Sequence, residues 1–253
     1  MAAGAGAIAE EQLNLSPLRG SLALILLAFI TVISGIHNII RAIGFVVPLM
    51  LIAVLGVSIY SVLSDPLSGQ KFAVLQALDP PLSYNWSLSA VLYVSYNVIL
   101  AVAILSTLGV EARAKTDMLR GSLLGAAGLG LGILAINLAI VSKVPQVLAF
   151  QVPMAFLASH INPVLAYCYG FILLLEIYTT AVSILYGFVA RICYHNNLKR
   201  FFWAAVASIG ALLAARMGFA KVISTIYPVM GFIGLFFLAC ILWAQLREVF
   251  AGK

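Results

Sequence analysis

Charge is what this sequence has least of. Only 9% of its 253 residues are Asp, Glu, Lys or Arg, against about 25% in an ordinary soluble domain. With 64% hydrophobic residues and a mean hydropathy of +1.13, the chain has more apolar surface than one water-exposed globule can bury. That excludes a soluble enzyme and a disordered protein. Cysteine is scarce too. Cys168, Cys193 and Cys240 lie far apart in or beside apolar segments, which excludes a disulfide-stapled secreted domain; they read as small buried hydrophobes. No C-x-x-C or Cys/His spacing suggests a metal site. The three histidines, His37, His160 and His195, fall in connecting segments and read as solvated. The N-terminal stretch has no basic region ahead of an apolar run, so it is not a signal peptide. Residues 1–17, MAAGAGAIAEEQLNLSP, read instead as a short small-residue helix end followed by an acidic cap, Glu10 and Glu11. The net charge is +6, but its basic residues are too dispersed for a nucleic-acid footprint and read as loop charge that sets orientation in a membrane.

Long apolar runs are what is abundant. A spanning helix needs about 20 apolar residues, and such runs occur at 18–36, 39–62, 86–108, 119–142, 163–191, 199–216 and 222–246. All read as helices, because a helix satisfies its own backbone in lipid. The chain is therefore expected to be an all-α polytopic membrane protein with about seven transmembrane helices and the lipid bilayer as its partner. The run at 163–191, roughly 42 Å long by helical rise, must tilt or project into water. Two connectors are long. Residues 63–85, rich in Pro, Ser and Asp, sit outside the hydrocarbon. Residues 143–161 are too apolar for a plain loop and too Pro-broken to span, and fit an interfacial or re-entrant helix pair.

Orientation follows from the basic residues. Arg19, Lys71, Lys143, Arg216 and Lys221 fall on one side; Arg41, Arg113, Lys115, Arg120, Arg191, Lys199, Arg200, Arg247 and Lys253 fall on the other. The richer side is expected in the cytoplasm, which puts the N-terminus and both long connectors outside and the C-terminus inside. An outside start without a signal peptide is accounted for if an odd number of helices precedes Met1, so the topology suggests the C-terminal part of something longer.

A charged group at bilayer depth is costly, by roughly 2.5–3.5 kcal/mol on insertion scales. One acid lies mid-span, Glu176 in GFILLLEIYTTAVSILYGF. Helical spacing brings Thr180 and Ser183 near its face, with Thr179 adjacent. A carboxylate with hydroxyls can coordinate a hard cation such as Na⁺ or carry a proton; alternatively, a protonated Glu176 bonds a neighbouring helix. In LYVSYNV, Tyr93, Tyr96 and Asn97 share a face and Ser95 lies off it. They read as a substrate site or a locally broken helix, or as interhelical hydrogen bonding. Asn137 is a third polar residue at depth. The glycine run from Gly121 to Gly132 lacks the strand and Lys-Ser/Thr of a phosphate loop; Gly121/Gly125 and Gly128/Gly132 read as close-packing pairs. No H-E-x-x-H, G-x-S-x-G or second mid-membrane acid supports an enzyme. Lys221, at the edge of the last helix, does not fit a retinal Schiff base.

The stretches LYVSYNVILAVAILSTLG, the Gly-rich helix ending in INLAI, LLLEIYTTAVSILYGF and IYPVMGFIGLFF resemble the bacterial YkvI-like membrane proteins, relatives of the amino acid–polyamine–organocation transporter superfamily, over nearly the whole chain. The resemblance implies a LeuT-like fold of ten core helices in two inverted five-helix repeats. Under it the chain is a single transmembrane domain matching helices four to ten. Residues 1–17 are the remnant of helix three and an outer loop, 18–62 end the first repeat, and 86–246 form the second. The connector 143–161 matches the outer gating segment, and helices one, two and most of three are absent. Tyr93, Ser95, Tyr96 and Asn97 then line a substrate path, while Glu176, Thr179, Thr180, Ser183 and Asn137 serve ion coupling. The implied function is part of a secondary transporter for an amino-acid-like or organic-cation solute, in a bacterial inner membrane. Na⁺ or H⁺ would couple it, with no other cofactor and no metal beyond a Na⁺ site. Its expected partners are the bilayer, the solute and either the missing N-terminal helices or another subunit, with no nucleic acid. Alone, the chain is expected not to transport. The alternative is a non-transporting accessory protein or a decayed fragment.

Overall fold

Apolar stretches interrupted by Pro, Gly and short polar connectors leave the backbone one way to satisfy itself in lipid, and among the described residues 91% is helix with no strand. The structure, a computed structural model, describes residues 1–34, 39–77, 85–111, 114–192 and 197–250. The expectations for His37, Arg113, Cys193, His195 and Lys253 lie outside these. The helices are α1 (Ala2–Leu13), α2 (Pro17–Ser34), α3 (Ile39–Ser64), α4 (Gly69–Ala77), α5 (Trp86–Glu111), α6 (Lys115–Ser142), α7 (Pro153–Ile161), α8 (Pro163–Ile192), α9 (Asn197–Ala215) and α10 (Phe219–Phe250). Among the described residues six helices are long and apolar enough to cross a membrane, namely α2, α3, α6, α8, α9 and α10. The seventh expected span is α5, a 26-residue helix whose stretch 86–102 is apolar but shorter. The chain is an all-α polytopic membrane protein.

Two compact units divide the helices: α1–α4 with α6–α9, and α5 with α10. In the first, α1 packs against α2, α8 and α9, with Ala2–Ala9 all buried. Its alanines and glycines are explained by this neighbourhood. A Cβ on Gly6 would lie 2.7 Å from the Pro17 carbonyl oxygen, and one on Gly20 would lie 2.5 Å from Ala9 Cβ and 2.6 Å from the Ala5 oxygen. Only glycine lets the two helix backbones approach this closely. The Ser21 hydroxyl donates to the Ala2 carbonyl at 2.9 Å across the same contact. Around α1, an apolar core joins Ile8, Val54, Val57, Leu157, Ala158 and Tyr169. Deeper along α2, Ala28 and Val32 meet Val182 of α8. The guanidinium of Arg200 donates to the Val32 carbonyl in the last turn of α2.

Several expectations change here. The connector 63–85 holds a helix, α4, rather than loop alone. The connector 143–161 is one 3₁₀ turn, Gln146–Ala149, followed by α7, so one member of the expected helix pair is a single tight turn. Glu10 and Glu11 lie within the last turns of α1 rather than after it. His160 belongs to α7, where it is exposed and set edge-on against Phe156 at 4.3 Å. Cys168 and Cys240 are exposed on α8 and α10 rather than buried; on spanning helices an apolar thiol suits a lipid-facing position as well as a core one. The glycines of α6 divide. Gly128 and Gly132 pack on Leu51 of α3, at 3.7 and 3.3 Å for a Cβ, while Gly121 and Gly125 have nothing within 4 Å. Only the second pair therefore serves close packing among the described residues.

An ion cluster ties the end of α3 to α4 and α6. Lys71 Nζ donates to Asp65 Oδ1 at 2.5 Å and to the Ser142 carbonyl at 2.6 Å, and Lys143 Nζ lies 3.5 Å from Asp65 Oδ2. The hydrogen bond from Lys71 is the main reason the Asp65 carboxyl lies below its usual range; burial opposes it, and the positive charges of Lys71 and Lys143 add to it. A depressed folded pKa contributes stability above the unfolded value of about 3.9 that is lost as pH falls through the folded value. Asp65→Asn should therefore lower thermal stability slightly at pH 7 and not at all near pH 2. The pair is exposed on the Asp65 side and worth at most about 1 kcal/mol. Melting curves of both proteins at the two pH values check this; an undiminished gap at pH 2 would contradict it.

In the second unit α10 crosses α5 at glycines. A Cβ on Gly231 would lie 2.9 Å from Leu92 Cβ, and one on Gly234 would run into the Ser95 carbonyl. Pro228 lies inside α10, as membrane helices tolerate.

Candidate functional site

Helix α8 places four of the expected residues along one stretch. Thr179 and Ser183 are buried, with Glu176 and Thr180 half-buried. The Thr179 hydroxyl donates to the Glu176 carbonyl at 3.0 Å and the Ser183 hydroxyl to the Thr179 carbonyl at 2.7 Å. Both protons are spent inside the helix, which leaves the hydroxyl oxygens free to act as acceptors. Glu176 differs. Its Oε2 is buried and has no hydrogen-bond partner among the described residues. Two hydroxyls, Ser58 Oγ and Ser208 Oγ, share that condition, but an orphaned carboxylate oxygen is the costliest of the three. Two residues on, the Tyr178 hydroxyl bonds Thr31 of α2 at 2.7 Å. Because Thr31 already donates to the Leu27 carbonyl, Tyr178 is the donor. Among the described residues, Tyr178 thus makes an interhelical hydrogen bond in this segment.

The LYVSYNV residues lie in the other unit, on α5. Ser95 is fully buried and its hydroxyl donates to the Val91 carbonyl at 2.7 Å, whereas Tyr93 is 42% exposed; the two faces expected from the spacing are distinct. Tyr93 and Tyr96 meet edge-to-face with centroids 5.4 Å apart. Asn97 Nδ2 donates to the Tyr93 carbonyl at 2.8 Å. The helix is unbroken here, so the locally broken helix weighed as one reading of the sequence is not found. Tyr227 of α10 adds a third phenol, 4.8 Å from Tyr96. Asn137 stands on α6, exposed, with its amide donated to the Ile133 carbonyl at 2.8 Å.

The structure therefore gathers Glu176, Thr179, Thr180 and Ser183 on α8, and Tyr93, Tyr96 and Asn97 with Tyr227 in the α5–α10 unit. Asn137 and Ser95 bond within their own helices, and the Ser95 backbone carbonyl stands at the Gly234 crossing. Tyr178 and Tyr227 were not singled out in the sequence. The quoted blocks EIYTTAV and IYPVMG contain them, but a tyrosine in an apolar helix gives no sign of the helix it will meet.

At the end of the first unit where α1 stops and α8 starts, a polar knot joins three elements. The Glu11 carboxylate accepts the backbone N–H groups of Gln151 at 2.6 Å and Val152 at 3.1 Å, capping α7 from outside its own sequence. Gln12 fills the space where a Cβ on Gly170 would sit and donates to the Ala166 carbonyl at 3.2 Å. The signal was present as the polar run Glu10-Glu11-Gln12 after a small-residue helix; its partners lie about 140 residues on.

Among known proteins, the chain is 30% identical over 243 residues to the uncharacterized membrane protein YkvI of Bacillus subtilis (strain 168), which covers 96% of the chain and 68% of YkvI. It is 28% identical over 167 residues to the uncharacterized protein YyaD of the same organism, covering 65% of the chain and 48% of YyaD. No family model matches, and no solved structure matches.

Proposed function

Because the chain belongs to the family of the Bacillus subtilis membrane protein YkvI, we propose that it forms part of a secondary transporter in the bacterial cell membrane. It would move a small amino-acid-like or organic-cation solute, coupled to Na⁺ or H⁺. The observation that carries this is the Oε2 of Glu176, buried and without a hydrogen-bond partner among the described residues, midway along a spanning helix. A carboxylate at that depth is expensive, and such residues mark ion or proton pathways. In this reading Glu176, Thr179, Thr180 and Ser183 form the coupling site, with no other cofactor. Tyr93, Tyr96 and Asn97 line the solute path, where phenol faces and an amide suit a solute with a cationic or polar head; Ser95 and Asn137 hold helix geometry. The protein is not an enzyme. The excess of Lys and Arg on one side puts the C-terminus in the cytoplasm and α4 and α7 outside, and the LeuT-like fold stands as part of the same proposal. The experiment is uptake of labelled amino acids and amines into liposomes holding the full-length protein, under imposed Na⁺ or H⁺ gradients. Saturable, gradient-driven uptake is expected; its absence for every solute under both gradients contradicts the reading.

A second reading, a non-transporting interaction partner of another membrane protein, draws on the open glycines Gly121 and Gly125 of α6, which can admit a close helix neighbour. It requires that Glu176→Gln combined with Asn97→Leu preserve any phenotype of the protein, where the transporter reading requires loss.

A further inference from the structure

We propose that the cleft between the end of α1, helix α7 and the start of α8 binds a small organic ammonium ion carrying a ring or short apolar chain. This site is separate from the α8 carboxylate and stands without the transporter reading. A cavity of about 190 Å³ opens there, with Glu11, Gln12, Phe150, Phe156, Ser159 and Tyr167 among its lining. Drug-sized ligands occupy about 300–1,000 Å³, so this volume limits the occupant to a monoamine with a single ring or short chain.

The lining decides the sign of the charge. Glu11 is its one ionisable acid, and no Lys, Arg or His stands among the lining residues. The two N–H groups from Gln151 and Val152 fix the carboxylate but use one acceptor position on each oxygen, and an ionised carboxylate offers about four. Glu10 adds a second negative charge beside it, 3.4 Å from Gln151 Nε2. Among the described residues neither glutamate has an ion-pair partner. The body of the ligand would meet aromatic surface. Phe150 and Phe156 stack with centroids 4.1 Å apart and planes 22° from parallel, and Tyr167 is exposed. An acid beside aromatic faces is the combination that holds ammonium groups, through charge-assisted hydrogen bonding and cation–π attraction. Three separate chain segments build the cleft, so an occupant would also hold α7 against α1 and α8.

Isothermal titration calorimetry on the whole chain in lipid nanodiscs tests this, with 2-phenylethylammonium as probe and uncharged 2-phenylethanol as its counterpart. Saturable binding of the ammonium is expected, with none of the alcohol over the same range. Glu11→Gln keeps an oxygen to cap α7 and should weaken binding about tenfold, equivalent to removing one charge-assisted contact. Tyr167→Ala, at an exposed position that the fold does not need, should weaken it as well and serves if Glu11→Gln misfolds. Ser122→Ala, at an exposed position of α6 outside the cleft lining, should leave the affinity unchanged. The site is refuted if wild type shows no saturable binding or if the alcohol binds equally. It is refuted equally if the Glu11 and Tyr167 variants bind as wild type does, or if Ser122→Ala removes the binding.

Discussion

Glu176→Gln in the full-length protein should abolish gradient-driven accumulation of solute while leaving the protein folded and inserted. The amide keeps the size and the hydrogen-bonding oxygen of the carboxyl but cannot hold a proton or a full negative charge. If Oε2 carries the coupling ion, its loss removes an interaction of the buried-charge kind, worth about 2–5 kcal/mol. Taking the lower part of that range, the half-saturating ion concentration rises by about 100-fold. Downhill equilibration of solute can persist, since the path for the solute itself is untouched. Glu176→Asp retains the charge on a shorter arm and should fall between the two. The measurement is uptake with and without the ion gradient in proteoliposomes of matched protein content. Undiminished ion-driven accumulation in the Gln variant would remove Glu176 from the mechanism. The hydroxyl variants are expected to matter less, because Thr179 and Ser183 already bond their own helix and contribute only an acceptor.

Gly20→Leu should destabilise the first unit by about 3 kcal/mol or more. Overpacking a well-filled core costs about 1–3 kcal/mol when side chains can shift. At Gly20 the obstruction includes the Ala5 carbonyl oxygen, 2.6 Å from the position of a Cβ. Backbone in the middle of a helix cannot step aside, so α1 and α2 must separate. That would strip cover from residues along α1 and break the Ser21 bond to Ala2. Gly125→Leu provides the comparison. It lies in a spanning helix as well, but nothing stands within 4 Å of its Cβ position, and it should change stability by less than about 0.5 kcal/mol. Thermal unfolding in detergent, followed by helical circular dichroism, separates the two. Equal stability of the Gly20 and Gly125 variants would mean that the α1–α2 contact is not as close as described.

These two glycines show where sequence reading succeeds and where it stops. The spans were legible because hydropathy acts along the chain; the run at 163–191 appears as α8 with nearly the same ends. The apolar, Pro-broken connector was legible as short helical structure for the same reason, and it holds a 3₁₀ turn and α7. What hydropathy cannot distinguish is a glycine that faces lipid from one that faces a helix. Gly121 and Gly125 carry the spacing of a packing pair and are open, while Gly6, Gly20, Gly231 and Gly234 stand in close contacts that no local pattern announced. In the candidate site, the polar residues of α8 and α5 were legible because polarity at depth is conspicuous. Their partners were not. Tyr227 meets Tyr96 from 131 positions away (227 − 96), and Glu11 caps a helix that begins at Pro153. Such pairings are properties of the assembled bundle.

The composition of α1 has a consequence for how the protein is made. Entry into the bilayer is favoured by Leu, Ile, Phe and Val, of which α1 offers only Ile8 and Leu13. Two of the helices that enclose it, α8 and α9, leave the ribosome long after it does. Among the described residues, α1 therefore has α2 and part of α3 to pack on before the later helices arrive to complete its surroundings. Its docking is then a late step of biogenesis, and any delay between synthesis of α2 and α9 leaves an alanine-glycine surface exposed to the membrane's quality-control proteases.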